Sequence, residues 1–512
     1  MSRTPFAALS ALRQARAESP VSSLRTRMIK KPILVLLCAV SWAVSAQDAI
    51  SAKDITGLEN GLVPRILVEG EKAQTYNLRE RMQRFNTPGL SAAVFKDGKV
   101  IWAQGYGYAD AERRVPVDVH TRFQSASISK SVTAFAVLKL VQTRHLDLDR
   151  NVNDYLVGWK VPDNAFTQTE KVTIRRLLSH TAGLNVEGFP GYEKTAKIPD
   201  AVGVLDGAGN SPKLEVVATP GSKYAYSGGG YVVLQKLVED LSGKPFVRYM
   251  QDELLTPLKM SESSYDPYPT KSMSLAYDFG GKVYPGGWHV YPELAPAGLW
   301  TTPSDLAKFC FAVRDASNGA PSAYLSQPLA KEMLTPSGKP DGGDAYSLGF
   351  EFRGQGENAS IGHGGSHAGF KSELFYFSRR DLGVVLMTNS DSGRIVRNEL
   401  ARSISNLYHL DLFPAKTVKR LPLSRAQLDA YAGRYQFEKE KDYYFSAALE
   451  SNGDLILKDL VDGKTNTFVA VAPDKFVDRY SGEEAEFKRD KPGGAITGLL
   501  YDGDETLRRV AR

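Results

Sequence analysis

Ser127-Ile128-Ser129-Lys130 sets a hydroxyl and an amine three residues apart, ahead of residues 131–141, a run without Gly or Pro that reads as a buried helix. Residues three apart on a helix are surface neighbours, so the Lys130 amine falls within reach of the Ser127 hydroxyl. A serine hydroxyl is a weak nucleophile at neutral pH and needs a base beside it. An ordinary lysine cannot serve, because it is already protonated. Burial penalises the ammonium form and can bring a lysine pKa from ~10.4 to ~7–8. The chemistry implied is acyl transfer through a covalent serine intermediate. Taken alone, a four-residue motif with two free positions is a weak signal in a chain of 512 residues.

Two later segments strengthen it. Tyr226-Ser227-Gly228 and His363-Gly364-Gly365 follow in that chain order. Ser-x-x-Lys with a later Lys/His-x-Gly element is the pattern of penicillin-recognising serine enzymes. Over roughly residues 76–410 the chain resembles the serine β-lactamase-related family of class C β-lactamases, D-Ala-D-Ala carboxypeptidases and related esterases. Residues 172–184 are similar to that family's segment before its variable active-site loop, 220–231 to its Tyr-x-Asn region, and 296–307 to its downstream helix start. Ordered matches at several places are more specific than any one of them.

The resemblance implies roles. Tyr226 would be the second catalytic group, able with Lys130 to move one proton to a leaving group and take another from water. His363, Gly365 and Ser366 would line the cleft on an edge strand, with the Ser366 N–H paired with the Ser127 N–H as an oxyanion hole, each such donor worth ~3–4 kcal/mol. Glycines at 364 and 365 would let substrate approach the backbone. The plainer readings are a core tyrosine beside a glycine turn, and a flexible loop over 362–369. One position departs from the family pattern: the Asn of Tyr-x-Asn is Gly228 here, so the side-chain amide that binds a substrate's acylamino group is absent. That speaks against a dedicated β-lactamase and for a broader peptidase or esterase.

The elements that must hold these residues are legible in part. Residues 90–95 and 100–106 flank Asp97-Gly98, the preferred two-residue signal of a β-hairpin, and 373–377 and 383–387 flank Arg380-Asp381 as a second one. If both hairpins join one antiparallel sheet, with helices near 78–85 and 395–408 packed on it, the middle of the chain is an inserted helical subdomain and the cleft lies between the two parts. Residues 186–220, rich in Gly and Pro, read as a loop covering that cleft. After Phe413-Pro414 come short strands separated by Asn-Gly, Asp-Gly and Gly-Gly turns. This part resembles the lipocalin-like barrel appended to some D-amino-acid peptidase relatives, chiefly through residues 431–435 and the strand spacing. The expected fold is therefore α/β of the α+β type: an antiparallel sheet flanked by helices with an inserted helical subdomain, plus a small C-terminal all-β, barrel-like domain. Expected boundaries are 1–46 for an upstream extension and secretory signal, 47–75 for an N-terminal segment, 76–410 for the hydrolase domain, 411–424 for a linker and 425–512 for the β domain.

Composition excludes other classes. The formal charge of +6 lies in the leader, because residues 1–46 hold seven Lys/Arg and one Glu, leaving 57 basic and 57 acidic residues afterwards. No basic surface for nucleic acid is expected. Lys30-Lys31, the apolar run 33–40 and Val44-Ser45-Ala46 read as an export signal cleaved after Ala46, shorter than the ~20 residues of a membrane span. The expected location is periplasmic or secreted, with no lasting membrane anchor. Of two cysteines, Cys38 leaves with the signal and Cys310 falls in a helical pattern as a small apolar residue. The histidines show no metal-ligand spacing, and neither metal nor organic cofactor is expected. The partner expected is a small molecule or short peptide. The function expected is an exported serine hydrolase acting on a small amide or ester: a D-amino-acid peptide, an ester or a β-lactam. The competing reading is a penicillin-sensing or peptidoglycan-binding module with little turnover.

Overall fold

The computed structural model describes residues 50–510 apart from 73, 339–344, 462 and 504. The expected export signal lies outside the described residues. Among the described residues, no helix is long and apolar enough to cross a membrane.

A seven-stranded antiparallel sheet forms the centre, in the order Val115–Pro116, Lys99–Asp110, Gly89–Lys96, Leu382–Thr388, Phe370–Phe377, Ser360–His367 and Glu351–Arg353. Both expected hairpins are present. Asp97 and Gly98 turn the first with left-handed φ values of 50° and 75°, as a two-residue turn matched to strand twist requires. The second closes through Ser378–Arg380, with Asp381 left-handed.

Helices cover both faces. On one side Ala52–Asn60, Leu78–Arg84 and Gly393–Tyr408 bury Leu58, Leu78, Met82, Val396, Leu400 and Ile404 against strand residues such as Leu90, Val94, Val384 and Leu386. On the other lies the inserted helical part. Its central helix, Ile128–Arg144, is apolar almost all round, so neighbours must surround it. Gly228–Ser242 and Leu294–Ala297 supply two of them, and Pro303–Ser317, which carries the buried thiol of Cys310, packs over the hairpin strands.

The C-terminal part is a closed eight-stranded barrel running from Gly433–Phe437 to Glu505–Val510. Residues 411–424, read from sequence as a linker, contain the strand Lys416–Val418, which pairs in parallel with Ile66–Val68 of the N-terminal segment. Ile66 and Val68 pack on Val469 and Val477 of the barrel wall, so this two-stranded ribbon ties the barrel to the chain's beginning.

A buried ion pair fastens the same junction. Arg81 donates to both oxygens of Glu399 at 2.8 and 2.6 Å, with side-chain exposures of 2% and 0%. The guanidinium also lies 4.4, 4.5 and 4.6 Å from the rings of Tyr76, Phe85 and the barrel's Tyr480. Glu399→Ala leaves that cation unpaired in the interior and is expected to destabilise the fold by about 3–5 kcal/mol, read as a lowered thermal midpoint. The double variant Arg81→Met, Glu399→Leu is expected to recover most of the loss.

Candidate active site

The chain turns sharply just before Ser127. Ala126 adopts a left-handed backbone with φ 49°, which costs a non-glycine residue roughly 1–2 kcal/mol and persists only where surroundings enforce it. Those surroundings are specific. The Ser125 N–H and hydroxyl both donate to the Leu299 carbonyl, and the Ser372 hydroxyl donates to the Ser125 carbonyl at 2.8 Å. Gly365 makes the approach possible. A Cβ there would stand 2.1 Å from the Ser125 carbonyl oxygen and 2.2 Å from Ser372 Oγ. Gly365 thus seats the turn that carries Ser127, besides lining the cleft where it was expected to admit substrate to the backbone.

Ser127 caps the N-terminus of Ile128–Arg144, and Lys130 follows one helical turn later. The Lys130 Nζ lies 3.0 Å from Ser127 Oγ and 3.2 Å from the Pro296 carbonyl oxygen. Lys130 is 3% exposed, and burial pushes its pKa down to about 7, against a smaller opposing pull from Glu351. A substantial fraction of the amine is therefore neutral near pH 7 and able to accept a proton.

Tyr226 completes the trio. Its ring centroid is 4.9 Å from Lys130 Nζ, its phenol opens on the same cleft as Ser127, and the Ser127 hydroxyl pulls the phenol pKa down against burial. Burial holds the phenol pKa well above its ordinary value, so it stays protonated and can donate. Tyr226 is held by the turn leading into Gly228–Ser242, where the Ser227 hydroxyl caps the helix by accepting the Gly230 N–H.

The strand Ser360–His367, next to last in the sheet rather than at its edge as expected, lies opposite. Glu351–Arg353 covers it only at Ser360, Ile361 and Gly362, so the edge is open beyond. The Gly364 N–H faces outward toward the Glu351 carboxylate and helps hold its pKa low. Since strand amides alternate in direction, the Ser366 N–H leaves the same open edge, two residues on, while His367 closes the hairpin opposite Phe370. His363 lies beneath, 2% exposed. Its Nδ1 is 2.6 Å from the Gly364 carbonyl oxygen and its Nε2 3.2 Å from the Tyr346 hydroxyl. Burial lowers its pKa, against an opposing pull from the Glu351 carboxylate.

A cleft of about 760 Å³ brings Ser127, Tyr226, His363, Gly365 and Ser366 together. Gly228 is not among its lining residues. Its N–H donates to the Glu187 carbonyl at 2.8 Å, and a Cβ there would stand 2.8 Å from both that oxygen and the Phe189 ring, so residues 187–189 occupy the space a longer side chain would need. Nor do residues 186–220 line the cleft, as the sequence suggested. The barrel's Lys464, Thr465, Ser481 and Glu483 do so in their place.

A family model described as Beta-lactamase matches residues 76–406. The chain belongs to the beta-lactamase family. Relatives of this beta-lactamase-family chain include Protein flp of Staphylococcus aureus (strain NCTC 8325 / PS 47), 27% identical over 324 residues, which span 61% of each protein. The chain thus matches about three fifths of that relative's length. A D-aminopeptidase of Gluconobacter oxydans (strain 621H) is 23% identical over 440 residues, 83% of this chain and 78% of that one. Among solved structures, the octameric penicillin-binding protein homologue from Pyrococcus abyssi superposes with a TM-score of 0.57 at 24% identity, covering 84% of this chain and 98% of that chain. The D-amino acid amidase from Ochrobactrum anthropi SV3 gives a TM-score of 0.53 at 21% identity, covering 70% and 98%. The fold is β-lactamase/penicillin-binding-protein-like, shared with a D-amino acid amidase, and the sequence relatives include a D-aminopeptidase.

Three features of this beta-lactamase-family site escaped the sequence reading. Glu351 is an ionised carboxylate held low by His363 and Arg353 against the opposing effect of burial, and no motif marks it. Tyr346 sits between His363 and His180 in the same aromatic cluster. His180 lies within the segment 172–184, whose resemblance carried a clue that spacing alone did not.

Proposed function

We propose that the chain is an exported serine hydrolase that cleaves small amides or esters, D-amino-acid peptides and amides foremost, through an acyl-enzyme on Ser127. The observation that carries this reading is the 3.0 Å approach of a buried, largely deprotonable Lys130 amine to the Ser127 hydroxyl. Ser127 Oγ bonds to the substrate carbonyl carbon as its proton passes to Lys130. The Ser127 and Ser366 amides face the developing oxyanion. Tyr226 donates a proton to the leaving nitrogen or oxygen as the bond to carbon breaks. The Lys130 ammonium then returns its proton to the Tyr226 phenolate; water attacks the acyl carbon and gives its proton to the neutral amine, which passes it to Ser127 Oγ as the acid leaves.

Substrate class rests on two supports: the similarity to a D-aminopeptidase over 440 residues, and Gly228, which supplies no amide to a β-lactam's acylamino group. Export rests on the leader sequence, and a balanced charge after residue 46 favours small neutral or zwitterionic substrates over nucleic acid. The test is a panel of a cephalosporin, a short-chain nitrophenyl ester and a D-alanyl peptide, each with Ser127→Ala as control. Turnover lost in Ser127→Ala supports the reading. Stable labelling by a fluorescent penicillin without turnover of any substrate would favour a sensor.

A pH dependence follows from Lys130. The base must be unprotonated, so kcat/KM for a neutral ester is expected to rise with pH along an acid limb centred near 7. Initial rates taken from about pH 5 to 9 read it out. A flat profile, or a limb set near 4, would point to a carboxylate base.

A further inference from the structure

His180 is 2% exposed and carries a left-handed backbone with φ 57°. Its carbonyl accepts the Ala225 N–H at 2.8 Å, and its ring Nδ1 accepts the Ser227 N–H at 3.0 Å. These two amides flank Tyr226. One residue therefore grips the chain immediately before and immediately after the phenol. The ring also lies against Tyr226, with centroids 4.3 Å apart and planes at 39°, and against Tyr346 at 4.7 Å. Because Nδ1 accepts, the ring proton sits on Nε2, which has no hydrogen-bond partner among the described residues. A buried N–H left unpaired is a penalty that packing alone does not require; an apolar side chain would fill the space without it. His180 does not line the cleft, so it does not touch substrate.

We propose that His180 is a positioning residue for Tyr226: its ring nitrogen and its carbonyl fix both amides beside the phenol, so that the hydroxyl is held on Ser127 and over the Lys130 amine. This rests on the acyl-enzyme reading given above. A misplacement near 1 Å in such a group costs about 10²-fold in rate, and a backbone clamp is the economical way to prevent it. Burial, assisted by Lys130 and His363, keeps the imidazole neutral, so the clamp does not change with pH in the working range.

The test compares His180→Leu, which removes the ring acceptor, with His180→Asn, whose Oδ1 stands where Nδ1 stood and which tolerates a left-handed backbone. Each is assayed on a D-alanyl amide and on a nitrophenyl ester. A leaving amine needs a proton from Tyr226, whereas nitrophenolate departs without one, so a misplaced phenol lowers amide turnover more than ester turnover. Expected for His180→Leu is a fall of about 100-fold in kcat on the amide and about 10-fold on the ester, with KM within about threefold. His180→Asn is expected to recover the amide rate to within about fivefold of wild type. Equal losses on both substrates, wild-type rates in His180→Leu, or a folded His180→Asn no better than His180→Leu would overturn the proposal. If His180→Leu does not fold, the amide-to-ester ratio of His180→Asn decides: a ratio near wild type supports the clamp, a collapsed one overturns it. Wild-type turnover that survives Ser127→Ala, or no wild-type turnover at all, removes the acyl-enzyme reading and the inference together. Ser127-dependent turnover with His180 variants behaving as wild type removes the inference alone.

Discussion

Lys130→Met is expected to abolish turnover while raising the thermal midpoint at pH 7. The loss of rate follows from removing the group that takes the Ser127 proton, which typically contributes about 10²–10⁴-fold, and which here stands 3.0 Å from the hydroxyl. The gain in stability follows from linkage. The folded protein holds the Lys130 pKa down to about 7 from 10.5, so the unfolded chain binds more protons between those values. Burying the amine therefore weakens the fold by its full amount below pH 7, and by progressively less as pH rises toward 10.5. A methionine of similar length carries no such penalty. Calorimetry at pH 7 and at pH 10 is expected to show a larger advantage of the variant at the lower pH. Lys130→Arg should be equally inactive, since a guanidinium stays protonated, and should not share the gain.

Tyr226→Phe is expected to lower kcat on amides by about 10²–10³-fold and on nitrophenyl esters by about 10-fold. The ring that packs on His180 and faces Lys130 is kept, so the fold and the Lys130 environment survive. What is lost is the proton delivered to the leaving group, and the ester with its stable leaving anion needs that proton least. Parallel kcat and KM measurements on a D-alanyl amide and on nitrophenyl acetate separate this outcome from general damage, which would lower both rates alike.

Ser127, Lys130 and Tyr226 could be picked out of the sequence because their chemistry is tied to short spacings and to the order of recognisable segments, and the structure brings all three together. The hairpin at Asp97-Gly98 was equally legible, since that turn demands two left-handed residues and few dipeptides supply them. Elements defined by distant partners were not. Ile66–Val68 and Lys416–Val418 are three residues each and acquire strand character only from one another, across some 350 positions of chain. Within residues 431–435, which carried the barrel resemblance, the strand begins only at Gly433, and the helix Arg425–Asp429 just before it starts from a capping box of Ser424 and Gln427. The barrel strands Lys475–Asp478, with only two apolar residues, and Glu484–Arg489, with a brief charged–apolar alternation, are too short to stand out from loops. Gly228 was placed at the substrate through its sequence neighbours alone; its backbone and the loop at 187–189 put it in the wall behind.

The covering of the cleft is the largest departure. Composition pointed to 186–220, whereas the barrel supplies the lip through Lys464 and Glu483, with Lys464 and Arg394 both donating to Glu483 at 2.9 Å. That contact joins the first turn of Gly393–Tyr408 to the barrel, so the appended domain borders the catalytic cleft directly. A pairing such as Arg394 with Glu483, 89 positions apart, leaves no local trace in either segment.

The central claim is that Ser127 carries the acyl group. Intact-mass spectrometry of protein quenched in acid during turnover of a slow ester, followed by peptide mapping, tests it most directly. The account predicts a single adduct of acyl mass on the peptide containing Ser127, absent from Ser127→Ala. An adduct on another residue, or ester turnover persisting in Ser127→Ala, would contradict it.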